Sequence, residues 1–479
     1  RRQRQMCIRD SSYSDTNAKG EGISPAYLIG SIRSLYPKLE IENSYCYPEN
    51  PEAGIDLFLE KLVQETEKEH EDILEQADET DAMFGELYSW YLRNPEYRSR
   101  VQKLVQSAFA GKPKDIISQS VAKALYGEVS PYSATRLERF AACAFAHFLQ
   151  YGMKLTERVE YEFKPMDMGN VMHEALESFA EEVRKRGMKW TELTEQERNE
   201  IADRCLDNIV ADYGNTVLKS SARNEYMIER TRRILRRTVW ALQKQLEQGE
   251  FQPEGFEVTF GGGRIDRVDI MEDQNKVYVK VIDYKTGNTS FDLVYLYHGL
   301  QLQLMIYLDG ALRVEQKKYP DKEIIPAGVF YYNIKDPMIQ EKIDADVEAV
   351  SAGLMKELKM NGLVQADPEL VYRMDSSLGS IPVAFNKDGS FRKNSSVADR
   401  TQFAVLGRYV RTKIEKIRSS ILEGDAEVSP YELGKKNACT YCPYMTVCGF
   451  DRRLSGYEFR RLKNFSDEEL WKAFDREAE

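Results

Sequence analysis

No stretch of about 18 consecutive apolar residues occurs in this 479-residue chain, so no segment reads as a membrane-spanning helix. It has no G-x4-G-K-[ST] loop, which excludes the phosphate cradle of a P-loop motor from this stretch. A positive charge balance is missing as well: the formal net charge is −11, which weighs against a uniformly basic nucleic-acid surface. The basic start is not followed by an apolar stretch, so no secretory signal is read there. Histidine is scarce, at four. The seven cysteines are odd in number, and three of them crowd together near the end, which is no disulfide framework. Clustered thiols outside a disulfide framework point to metal ligands in a reducing, cytoplasmic compartment.

Hydrophobic residues make up 42% of the chain, ample for a large core, and the length suggests about three domains. Residues 1–10, RRQRQMCIRD, fit nothing that follows and read as non-native read-through, so Cys7 is set aside with them. From Ile55 to Tyr126 apolar residues recur at three and four, as at Phe84, Leu87, Tyr88 and Tyr91, which predicts helices. A Gly/Pro break at 127–131 follows, giving an expected boundary between a region 11–126 and a region 127–479. Helices are predicted from Ser133 through Phe148, over His173–Arg186, along Glu195–Gln248, from Gly299 to Leu312 and over Asp399–Glu423. The period changes to two at Phe256–Ile270, Val277–Tyr284 and Val329–Ile334, which predicts strands. Acidic residues concentrate between Glu52 and Asp81. Basic clusters lie at Arg230–Arg237 and at Arg452–Lys463; each reads equally as a solvated helix face or as a nucleic-acid contact, with Arg232, Arg233 and Arg236 the candidate DNA contacts.

Two strands carry the chemistry. Gly263-Arg-Ile-Asp-Arg-Val-Asp269 leads through Glu272-Asp-Gln-Asn275 to Val277-Tyr-Val-Lys-Val-Ile-Asp-Tyr-Lys285. A hairpin turning at Gln274–Asn275 places Asp266 directly across from Asp283, and alternation puts Lys285 on the same face. Two facing carboxylates repel unless a divalent cation lies between them. A lysine beside them can orient or deprotonate an attacking water and offset charge on a phosphate. Asp-x-Lys alone is a weak motif, more often a surface ion pair. His173, in G-N-V-M-H-E-A-L, is a candidate metal ligand, although a lone histidine is more often a hydrogen-bonded structural residue. Gln303 and Tyr307, four apart on a predicted helix, share a face and are candidates for positioning substrate or Lys285. Cys439, Cys442 and Cys448 form C-x2-C-x5-C, and 295 residues separate Cys439 from Cys143. Four such thiolates suit either Zn²⁺ or an iron–sulfur cluster, and spacing does not choose between them.

Taken together, G-N-V-M-H-E-A-L, G-R-I-D-R-V-D, V-I-D-Y-K-T-G, Q-L-Q-L-M-I-Y, R-L-E-R-F-A-A-C and C-T-Y-C-P-Y-M-T-V-C resemble the RecB-like nuclease domain of the PD-(D/E)XK superfamily. The resemblance runs from about Pro131 to Asp451. It implies an α/β fold, a small mixed sheet flanked by helices with long helical insertions, preceded by a truncated, mostly helical helicase-like segment. It implies a Mg²⁺-dependent single-strand DNA exonuclease acting 5′ to 3′ in double-strand break repair, with His173, Asp266, Asp283 and the Tyr284 carbonyl on the metal. Lys285 would serve the attacking water. Cys143, Cys439, Cys442 and Cys448 would hold a structural [4Fe–4S] cluster. The implied partners are a single-stranded DNA end and an AddA-like motor/nuclease protein, bound as a heterodimer. The alternatives are a stand-alone nuclease and a non-catalytic DNA-binding scaffold.

Overall fold

The computed structural model describes residues 27–38, 51, 54–55, 58–59, 62, 79–108, 116–127, 133–156, 165–212, 221–261, 263–339, 346–453 and 456–478. The supposed read-through at 1–10 and the acidic run at 65–72 lie outside them. The chain divides into two compact units, Arg1–Ala110 and Gly111–Glu479. In the first, helices Glu79–Arg93 and Pro95–Ala108 pack around Ile55, Phe58, Leu62, Tyr91 and Val101, and the Phe58 and Phe84 rings stack at 4.8 Å. Where this stretch is described, it is helical as expected. The division falls ahead of the expected boundary after Tyr126, because helix Gln119–Tyr126 buries Ala122 and Tyr126 in the core of the second unit.

The second unit is built on a six-stranded mixed sheet in the order β1-β2-β3-β4-β5-β6. The strands are β1 (Gln252–Phe260), β2 (Gly263–Asp273), β3 (Lys276–Lys285), β4 (Glu323–Asn333), β5 (Asn361–Gln365) and β6 (Val397–Ala398). The extended run expected over Phe256–Ile270 is thus two strands, paired antiparallel with Phe260 opposite Gly263. β2 and β3 form the predicted hairpin. Its ladder runs from Asp273↔Lys276 to Arg267↔Ile282, and Gln274 takes the positive φ (32°) that a two-residue turn requires. β3 and β4 are parallel, and a parallel pair needs a crossover connection.

Helices cover both faces. Side chains alternate along β3: Tyr278, Ile282 and Tyr284 enter one core, and Val277, Val279 and Val281 the other. The first core holds α2 (Pro165–Lys185), α3 (Glu195–Asp212) and α4 (Ala222–Glu247). The second holds α1 (Ala134–Ala142), α5 (Gln303–Lys318), α6 (Arg400–Glu423) and α7 (Asp467–Ala478). The helical stretch expected over Glu195–Gln248 holds two helices among the described residues, α3 and α4. Local chemistry explains several ends. Ser133 caps α1, and Asp399 with Gln402 forms a capping box on α6, as the apolar periodicity starting at those residues requires. α1 stops at Cys143, whose backbone is extended (φ −165°), so the single helix expected through Phe148 is interrupted there. Gly310 lets α5 lie close on β1: a Cβ there would meet the Phe260 ring at 2.7 Å.

Candidate active site

Asp266 and Asp283 sit side by side in the β2–β3 hairpin, one step beyond the Arg267↔Ile282 pair, so the ladder has the register expected from the turn. Both are buried, at 8% and 1% exposure. Their neighbours on the same strands turn the other way. Arg267, Asp269 and Lys280 form a buried ion network, with Arg267 Nε at 2.5 Å and Lys280 Nζ at 2.9 Å from Asp269, and Asp269 faces Lys280 in the ladder. One motif therefore supplies both a site carboxylate and the charges that lock the hairpin from behind.

Lys285, two residues on from Asp283, shares its face. Its Nζ lies 2.6 Å from Asp283 Oδ2 and donates to Gln303 Oε1 at 2.7 Å. The other end of the Gln303 amide donates to the Tyr307 hydroxyl at 2.9 Å. Gln303 and Tyr307, one helical turn apart, therefore meet the lysine as a linked pair. Gln301, two residues earlier, instead ties its own loop, donating to the Ser290 carbonyl at 2.8 Å and accepting from the Asp292 N–H at 3.0 Å. The backbone N–H of Tyr284 donates to Asp266 Oδ2 at 2.8 Å, fixing that carboxylate between the strands.

His173, on α2, points its Nδ1 at Asp266 Oδ2 from 3.3 Å. A residue that sequence reasoning missed completes the group. Glu257 lies across from Asp266 on β1, 3.9 Å from His173 Nδ1, and is paired with Arg264. It adopts φ +49°, rare outside glycine, and lies opposite Asp266 only because the run Phe256–Ile270 turns between Phe260 and Gly263. His173, Glu257 and Asp266 offer ligand atoms within 4.8 Å of one another. An imidazole nitrogen with carboxylate oxygens suits Mg²⁺ or Mn²⁺. Burial opposes charge on His173, but the carboxylates of Asp266 and Glu257 outweigh it and push the imidazole up to about 10. Cation uptake at neutral pH must therefore displace a proton.

Desolvation, and then the charge of Asp266, raises Asp283 to about 7. Glu138 on α1, half-buried, is raised to about 7 by desolvation against the pull of two backbone N–H groups. A carboxyl raised in this way holds its proton more tightly folded than unfolded. The stability it contributes is complete below its ordinary value and declines as pH rises to about 7. The melting temperature of metal-free protein should therefore fall from pH 4 to 8, and Asp283→Asn should flatten that decline, as followed by circular dichroism.

The four cysteines come together at a second place. Cys143, Cys439, Cys442 and Cys448 line one small cavity with Phe145, Tyr444 and Phe450. All four are free thiols. Burial, with the neighbouring thiols behind it, pushes Cys439 up to about 12, and burial raises Cys143. Such thiols become thiolates when a metal shares the charge, and a four-sulfur donor set suits Zn²⁺ or an iron–sulfur cluster. Around them Tyr444 Oη donates to the Leu155 carbonyl at 3.0 Å, and Arg460 donates to the Ala141 carbonyl at the end of α1.

The arginine candidates are placed differently. Arg232 pairs with Asp207 at 2.7 Å, Arg236 with Asp203, and Arg233 with Asp336 at 2.6 Å. Their charge is paired with carboxylates of neighbouring segments, while the side chains of Arg233 and Arg236 remain largely exposed.

The sequence pattern of the PD-(D/E)XK nuclease superfamily matches residues 131–449. The chain belongs to that superfamily. Among curated relatives, a Lachnoclostridium phytofermentans protein named as the B-type component of an ATP-dependent helicase/deoxyribonuclease is 39% identical over 98% of this chain and 42% of its own length. Proteins of the same name from Clostridium novyi (33%) and Thermoanaerobacter sp. strain X514 (31%) match over 98% of this chain and 43% of theirs. The chain thus spans about two-fifths of the length of these relatives.

Proposed function

We propose that this chain carries the nuclease site of an AddB-type component of an ATP-dependent helicase–nuclease. It would hydrolyse phosphodiester bonds of single-stranded DNA in the 5′ to 3′ sense, with Mg²⁺, alongside an AddA-like motor protein in break repair and recombination. The observation that carries the reading is the convergence of Asp266, Asp283 and Lys285 on one face of the β2–β3 hairpin, with His173 beside them. The relatives' shared name supports the partner and the substrate. The four-thiol cavity supports a [4Fe–4S] cluster as a structural element.

His173, Asp266, Asp283 and the Tyr284 carbonyl would hold the metal, and Glu257 would join them, since its ligand atom lies within 4.8 Å of those of His173 and Asp266. Bound there, Mg²⁺ offsets the repulsion of the carboxylates and the charge developing on the phosphate. Lys285 holds its ammonium between Asp283 and Gln303, where it can orient the attacking water and donate to a phosphate oxygen. Tyr307 keeps the Gln303 amide turned so that its oxygen faces the lysine. Asp283 screens the ammonium charge until substrate arrives.

Thermal denaturation tests the metal site apart from cleavage. Mg²⁺ or Ca²⁺ should raise the melting temperature of wild type and not of Asp266→Ala. A cation at a hundred times its Kd stabilises the folded state by about 2.7 kcal/mol. Equal shifts in the two proteins would remove Asp266 from the metal site.

A further inference from the structure

α5 begins without a cap of its own. Leu302 occupies the capping position and has no side-chain oxygen to satisfy the first N–H groups of the helix. Glu138, on α1 and 164 residues away, supplies it: one oxygen, Oε1, accepts from the N–H of Leu302 at 2.7 Å and of Gln303 at 2.9 Å. The residue so fixed, Gln303, is the one whose side chain accepts from Lys285. A serine or aspartate at 302 would cap the helix as well. A carboxylate from α1 does something more, since it ties the start of α5 to a different helix. That helix ends at Cys143, the first of the four cavity thiols, and its last carbonyl but one is held by Arg460.

We propose that Glu138 is a positioning residue for Lys285: by clamping the backbone of Gln303 it sets the amide that holds the amine against Asp283. α1 thereby connects the cysteine cavity to the acidic site, and the geometry at one end constrains the other. This rests on the nuclease reading for its kinetic test, though not for its structural one.

Cleavage of single-stranded DNA with Mg²⁺ would be compared in wild type, Glu138→Ala, Gln303→Ala and the double variant. Glu138→Ala is expected to lower kcat on the order of ten- to a hundredfold, with KM little changed, because a misplaced group costs rate rather than binding. Glu138→Gln, which retains an acceptor oxygen, should recover most of the loss. In the Gln303→Ala background Glu138→Ala should cost nothing further, the mark of residues acting through one another. Losses that multiply, or a lowered melting temperature with unchanged kcat, would overturn the proposal. A crystal structure of Glu138→Ala decides it even where wild type fails to cleave, an outcome that would count against the nuclease reading instead. The Gln303–Lys285 contact should be broken; its persistence at 2.7 Å would refute the clamp.

Discussion

Asp283→Ala is expected to abolish Mg²⁺-dependent cleavage while the fold survives. The carboxylate is 1% exposed, stands beside Asp266 in the hairpin, and holds Lys285 at 2.6 Å, so its removal takes away a proposed metal ligand and the partner of the amine together. Several kcal/mol of transition-state stabilisation should go with it, about a thousandfold or more in rate. The fold should not suffer in parallel. Without a cation Asp283 is a poorly solvated acid next to another, and that strain is why it is raised to about 7. Removing it relieves repulsion, so the metal-free variant should melt no lower than wild type at pH 8. Lost cleavage with an unchanged or higher melting temperature separates a catalytic role from a structural one. Retained cleavage would sink the assignment.

Cys442→Ala should act in the opposite way, on the fold first. The four thiols lie where the end of α1 meets a loop beyond 295 intervening residues, and a metal or cluster shared there would close most of the second unit into a loop. The chain-entropy account of a cross-link spanning about 300 residues gives roughly 6 kcal/mol, comparable with the whole stability of many domains. Loss of one ligand should therefore lower the melting temperature of the second unit by many degrees, and metal analysis should show loss of bound iron. Protein purified without oxygen and found to hold zinc, colourless and fully active, would refute iron while leaving the cross-link intact. An unchanged melting temperature in Cys442→Ala would refute both.

The hairpin was legible because two signals agreed. A polar turn at Gln274–Asn275 and strict alternation on either side allow one register, and a slip of one residue would turn Asp283 to the wrong face. The helix starts at Ser133 and Asp399 were legible for a similar reason, since the capping residue sits just before the apolar periodicity. Strands β5 and β6 were not seen, being five and two residues long, too short for a period to show. Glu257 was hidden because Phe256–Ile270 reads as one extended run, and only the turn between Phe260 and Gly263 folds it back opposite Asp266. Glu138 was hidden by distance along the chain, because its partners are backbone N–H groups, which leave no mark in sequence. The arginines of α4 hide their partners in the same way. Their runs of charge are visible, but Asp203 and Asp207, which answer them, lie on α3, and only packing brings the two helices together.

The most direct test of the central claim uses end-labelled single-stranded DNA with Mg²⁺ and protein purified without oxygen, comparing wild type with Lys285→Ala. The account predicts cleavage by wild type, lost on addition of a chelator and absent in Lys285→Ala, with the label reporting the direction of degradation. Equal cleavage by the two proteins would contradict it, because the face shared by Asp266, Asp283 and Lys285 would then not be where the bond is broken.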